Sequence, residues 1–306
     1  MKTNIKNYLR PFALRGGEWV VGSLFLLLTL ASCEKPYVGE AGQEPAAPAA
    51  NLYVNVMGFQ QIPFEQAGDT RATTPVKDVC SRLNFVIYDG ETKIKSIPQK
   101  KDDSDFGQIA VTIPQGTYKI AIIGHSSTAS ATVSSLDKIS FDKNLVTDTF
   151  LYFSDIVIDG DAQTLNVELS RVVSMFRLQL TNDLPQEITQ LKFYYTGGSS
   201  TLSALTGYGS VNSKQTVVLD VAPGQRQFDV YTFPHTEEDE LKITISALDA
   251  TQTLLKERTF EAVPVQRNRI TRYVGDIFDA ATPEIVATTV STQVNAEWDG
   301  EQEILF

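Results

Sequence analysis

"SRLNFVIYDGETK", residues 81–93, is the stretch whose reading decides the fold. Leu83, Phe85 and Ile87 recur with a period of two, which lines one face of an extended chain. The run ends at Asp89-Gly90, a pair suited to the tight turn of a β-hairpin. The same pattern repeats outward from here. Ile109, Val111 and Ile113 alternate before a Pro114–Gly116 turn and the strand "TYKIAII". Ile156 and Ile158 lead into Asp159-Gly160, and Leu165, Val167 and Leu169 follow. Phe176, Leu178 and Leu180 continue it, as do Leu191, Phe193 and Tyr195; Val217, Leu219 and Val221; and Leu241, Ile243 and Ile245. No long stretch carries an apolar stripe at 3.6-residue spacing, and only residues 129–147 suggest one short helix. Many half-buried strands predict an all-β chain of antiparallel β-sandwiches. The length fits two, residues 51–170 and 171–306, with the break near Ser170-Arg171.

The N-terminus reads in three parts. Lys2, Lys6, Arg10 and Arg15 make a basic start, Trp19–Ala31 is an apolar run of 13 residues, and Leu30-Ala31-Ser32-Cys33 closes it. A spanning helix needs ~20 apolar residues, whereas a signal-peptide core needs ~7–15. Residues 1–32 are therefore expected to be a signal peptide. The closing tetrapeptide resembles the bacterial lipobox, in which the cysteine thiol is acylated and becomes the new N-terminus. The competing reading is an ordinary cleaved signal with a chance cysteine. Two or three acyl chains, at ~0.8 kcal/mol per buried methylene, would hold the protein on a membrane. Glu34, rather than aspartate, follows Cys33, which points to the outer membrane. Residues 33–50 carry Pro36, Pro45 and Pro48 among small residues and read as a lipidated tether reaching ~40 Å.

Four of the 26 basic and one of the 37 acidic residues precede Cys33, leaving 22 and 36, a net charge of −14. That balance argues against nucleic acid and against electrostatic attachment to anionic lipid. Membrane contact must then come through the lipid on Cys33. With Cys33 acylated, Cys80 is the only thiol, no internal disulfide is possible, and its apolar neighbours suggest a buried cysteine.

Catalytic chemistry is sparse. His125 ("GHSST") and His235 ("FPHTEE") stand apart in turn-like contexts and read as surface histidines. No His-x-x-x-His, Cys-x-x-Cys or Gly-x-Ser-x-Gly occurs. Asp102, Asp103 and Asp105 depart from EF-hand spacing and read as a solvated hairpin tip. Residues 196–210, "TGGSSTLSALTGYGS", lack a phosphate-loop lysine and read as a long mobile loop that could serve an interface. Catalytic residues, metal ligands and cofactors are all expected to be none.

Several segments together resemble the FimB-like fimbrillin-associated anchor subunits of Bacteroidetes. They are the lipobox, the Pro/Ala tether, "SRLNFVIYDGETK", "IPQGTYKIAIIGH", "LNVELSRVVSMFRLQLTN" and "VPVQRNRITRYVGDIF". The resemblance implies two tandem transthyretin-like sandwiches in a non-enzymatic lipoprotein. It would sit at the pilus base in the outer membrane, tethering a fimbrium and limiting its length. Its partners would be a shaft pilin and the membrane, with no nucleic acid. Shaft subunits of the family are cleaved by trypsin-like proteases near the N-terminus. Arg71 in "AGDTRATT" offers such a bond, and cleavage there would make this chain a shaft or tip component.

Near the C-terminus, Val286, Val290, Val294, Ala296 and Trp298 all fall on even positions and project from one face if extended. The segment is either the chain's own long last strand, closed by a hairpin at Asp299-Gly300, or a strand donated to a neighbour's sheet edge. Two further functions compete with a fimbrial one. A glycan-binding surface lipoprotein should show several exposed Trp or Tyr on one sheet face. A glycoside hydrolase would need two placed carboxylates.

Overall fold

A computed structural model describes residues 49–59, 75–277 and 300–305. The alternating segments form nine strands up to Arg171: β1 (Leu52–Phe59), β2 (Arg82–Asp89), β3 (Thr92–Lys100), β4 (Gln108–Val111), β5 (Gly116–His125), β6 (Thr132–Ser135), β7 (Lys138–Ser140), β8 (Thr149–Ile158) and β9 (Gln163–Arg171). Nine more follow: β10 (Ser174–Leu180), β11 (Gln190–Thr196), β12 (Thr201–Leu202), β13 (Gln215–Asp220), β14 (Gln227–Thr232), β15 (Glu238–Leu248), β16 (Leu254–Gln266), β17 (Arg269–Gly275) and β18 (Gly300–Leu305). A four-residue helix, α1 (Val76–Val79), precedes β2. The helix expected within residues 129–147 is replaced by β6, β7 and a single 3-10 turn at Asp142–Asn144. The cross-strand pair Val133 and Ile139 is buried on that small sheet.

Seven strands lie in the order β3-β2-β5-β8-β9-β1-β4. Asp89-Gly90 makes the predicted hairpin: Asp89 faces Thr92 across the ladder, and Gly90 takes φ +56°, a left-handed conformation that glycine adopts without strain. Asp159-Gly160 turns the chain differently. Only Phe150↔Arg171 and Leu151↔Ser170 pair β8 with β9, while the rest of β9 runs parallel to β1. The sheet therefore has two wings facing one core. Leu52 and Val54 of β1 and Val167 and Leu169 of β9 meet Leu83, Phe85 and Ile87 of β2 and Ile120 and Ile122 of β5 there.

After Arg171 the chain builds two four-stranded sheets, β14-β10-β17-β18 and β13-β11-β15-β16. Between them lie Phe176, Leu178 and Tyr273 from one and Leu191, Phe193, Ile243 and Ile245 from the other. Most pairings are antiparallel, but β1 with β9, β10 with β17 and β17 with β18 are parallel.

A third core changes the expected picture of half-buried strands. β2 and β5 are buried on both faces, because Val86, Tyr88, Ala121 and Ile123 point away from the first core into another. That core also takes Ile139 and Phe141 and, from beyond Arg171, Leu202, Phe233 and Ile270. Burying each such large side chain contributes about 1.5–3 kcal/mol, so the strands before and after Arg171 are joined by an apolar seam. All described strands belong to one compact unit, Pro48–Phe306.

Candidate functional site

The seam is held at its rim by polar groups from three chain segments. Arg171 ends β9, and its guanidinium grips Asp148 twice, Nε to Oδ1 at 2.7 Å and Nη2 to Oδ2 at 2.8 Å. Its Nη1 donates to Asn268 Oδ1 at 3.3 Å, and the group lies 4.6 Å from the Phe150 ring centroid. Asn268 sits in the turn between β16 and β17 at φ +60°, which asparagine tolerates better than most residues. Its backbone N–H donates to Val173 O at 2.8 Å. This fork-to-carboxylate geometry is the strong form of an ion pair, and it fastens the start of β8 to the end of β9.

Residues 196–210 form structure rather than a mobile loop. Thr201–Leu202 is β12, paired antiparallel with Ser140–Ile139 of β7, so a strand from beyond Arg171 completes a sheet begun before it. Ala204 N donates to Leu136 O at 2.6 Å, and Ser199 and Phe233 exchange backbone bonds at 2.9 and 3.0 Å. Ser199, Ser200, Thr201, Leu202, Ser203 and Ala204 are all buried. Glycine and serine here allow close backbone packing, whereas their abundance alone suggests mobility.

Both histidines differ from the surface reading. His125 ends β5 fully buried, edge-on to Phe141, with ring centroids 5.3 Å apart. Among the described residues neither ring nitrogen has a hydrogen-bond partner. Burial, reinforced by the positive charge of Arg82, lowers its pKa to about 4. His235 is half-buried; its Nδ1 lies 3.1 Å from Gly209 O, and its Nε2 has no partner among the described residues. Among the described residues neither imidazole is hydrogen-bonded to a hydroxyl or thiol that it could activate. Cys80 is buried as expected, and burial pushes its thiol pKa far up, with the charge of Asp148 adding to the shift. Asp103 accepts from the Lys100 backbone N–H at 2.7 Å, closing the exposed turn after β3.

Cys33, Arg71, Val286, Val290, Val294, Ala296 and Trp298 lie outside the described residues. Beyond Trp298, Gly300–Leu305 forms β18, parallel to β17 and, among the described residues, at the edge of its sheet. Arg272 binds Glu301 at 2.8 Å and also pairs with Glu303, while Ile304 packs against the core beside Phe176 and Tyr273. The six residues after Asp299 therefore pair with β17 of their own chain.

Sequence reasoning named none of Asp148, Arg171, Arg267 or Asn268 as site residues. The signal available was the cluster Arg267-Asn268-Arg269, with an asparagine at a turn between two apolar runs.

The profile of the fimbrillin-A associated anchor proteins Mfa1 and Mfa2 matches residues 61–301. The chain belongs to this family. The family is one of fimbrium-associated proteins, so the chain is a fimbrium-associated protein of the cell surface. Similar solved structures include the fimbrial anchor protein Mfa2 from Porphyromonas gingivalis, at 12% identity and a TM-score of 0.39, covering 69% of this chain and 82% of that one. The tip fimbrial protein Mfa3 from the same organism, truncated at its C-terminus, is 11% identical with a TM-score of 0.38, covering 76% and 97%. A candidate adhesin from Bacteroides ovatus is 13% identical with a TM-score of 0.45, covering 70% and 79%. No curated protein matches the chain.

Proposed function

We propose that this chain is the non-enzymatic anchor subunit at the base of a fimbrium. In this reading residues 1–32 are removed, Cys33 carries acyl chains in the outer membrane, and residues 33–50 lift the body off the surface. The body is two tandem transthyretin-like sandwiches, residues 51–170 and 171–306, holding a shaft pilin by strand pairing. The observation that carries the reading is the order of features: a lipobox-like Leu30–Cys33, then a family match from residue 61 to residue 301. Family membership supplies the fimbrial context, and the lipobox supplies the attachment.

Strand pairing with the pilin is assigned to the segment Val286–Trp298. Thirteen residues exceed the usual ~5–6 of a strand, and alternate side chains could fill a neighbour's pockets while backbone bonds give strength. A subunit that keeps its own first strand has no vacated groove, so it donates rather than accepts. Arg71 supports a second reading. Cleavage after it would part the body from the lipid and make the chain a shaft or tip subunit.

The test is purification of the tagged chain from outer membranes, with mass spectrometry of what accompanies it. The anchor reading expects a shaft pilin in the outer-membrane fraction. Recovery of the chain from sheared fimbriae alone would contradict it.

A further inference from the structure

Beside the Arg171 clasp lies a cleft of about 360 Å³ that neither attachment nor strand pairing uses. Its walls include Phe153, Arg171, Leu205, Gly207, Arg267 and Asn268. Among the described residues no aspartate or glutamate lines it, although the chain carries a net charge of −11. The sign of the surface is locally reversed.

The two guanidinium groups are in different states. Arg171 is neutralised by Asp148. Arg267 is half-buried, stacks 4.5 Å from the Tyr208 ring centroid, and has no carboxylate partner among the described residues. Stacking occupies the face of a guanidinium and leaves its edge N–H groups for an acceptor. Gly207 keeps the space beneath it clear: a Cβ there would stand 2.8 Å from Arg267 Nη1. Behind it, Asn268 must turn its oxygen to the donor Arg171, which leaves Nδ2 buried without a partner among the described residues. Guanidinium and amide donors thus face the cleft with no carboxylate beside them among the described residues. At its rim Leu205 is half exposed beside Phe153.

The geometry points to a docking site for an acidic side chain of a partner protein, flanked by an apolar residue. The carboxylate takes the edge of Arg267, and the apolar neighbour covers Leu205. Tyrosine and arginine beside an apolar rim are the residue types that dominate binding energy at protein interfaces. The apolar rim favours a peptide over a free anion or an acidic sugar. The site is independent of the strand-pairing role and of the lipid, so its test can fail without touching either.

The test is ligand-observed saturation-transfer NMR on the full chain in detergent, with the acetylated, amidated tripeptide Leu-Glu-Leu as probe. The site predicts saturable binding that weakens as salt is raised. It predicts on the order of tenfold weaker binding for Leu-Gln-Leu, and the same loss for Leu-Glu-Leu on Arg267→Gln, with Arg267→Lys between. Equal binding to wild type and a folded Arg267→Gln, or no saturable binding at all, would overturn the proposal. Glucuronate binding as tightly as the tripeptide would overturn the peptide assignment.

Discussion

Arg171 and Asp148 form a bidentate pair in which both guanidinium–carboxylate bonds are 2.8 Å or shorter. The Arg171 side chain is only 5% exposed and that of Asp148 17%. A charge left in such a place without its partner is costly. Asp148→Asn and Arg171→Met should each destabilise the fold by about 3–5 kcal/mol, and the double variant should lose less than the sum. Denaturant unfolding of the four proteins of that cycle measures it. Additive losses would show that the two charges act separately.

Acid should weaken the fold through His125. In the unfolded chain its pKa is about 6.5, and in the folded chain burial lowers it to about 4. The unfolded state therefore takes up the proton first as pH falls. Stability is intact above about pH 6.5 and declines between there and pH 4, by about 3 kcal/mol from this one group. The comparison that isolates it is wild type against His125→Leu, unfolded in denaturant at pH 7 and pH 4. The variant should lose less on acidification, by roughly that amount, and parallel losses would remove His125 as the cause.

Much of this fold could be read from period-two alternation, and what escaped has definable causes. Leu83, Phe85 and Ile87 point into one core as their spacing requires. Val86 and Tyr88 alternate with them and face the third core. An unbroken run such as Phe85–Tyr88 signals a strand buried on both faces, but alternation draws attention to one face. His125, at the end of the neighbouring strand β5, is buried for the same reason. The parallel partners of β1, β10 and β17 lie about 100 residues away or follow a long connection. Nothing local specifies such pairings. The Arg171 clasp unites Asp148, Arg171 and Asn268 from distant parts of the chain, and only folding puts them together.

Residues 196–210 test whether glycine here serves packing. A Cβ on Gly209 would meet Ser199 Cβ and lie 2.9 Å from Phe233 O, at the point where Ser199 and Phe233 exchange backbone bonds. Gly209→Ala should cost about 1–3 kcal/mol in thermal or denaturant unfolding. A mobile loop would accept the alanine without loss.

The strand-pairing role proposed for Val286–Trp298 can be tested without disturbing β18. Cutting the chain before Gly300 would also remove the Arg272 ion pairs and Ile304. Val294→Pro instead deletes one backbone donor within Val286–Trp298. Donation predicts an unchanged unfolding midpoint and fimbriae shed into the medium, counted by electron microscopy. A drop in the midpoint with fimbriae retained would assign the segment to the chain's own core.

The measurement closest to the central claim is mass spectrometry of the N-terminal peptides of the protein taken from intact cells. The anchor account predicts an acylated Cys33 at the start of the mature chain and an uncut bond between Arg71 and Ala72. A mature chain beginning at Ala72, or at Cys33 without acyl groups, would contradict it.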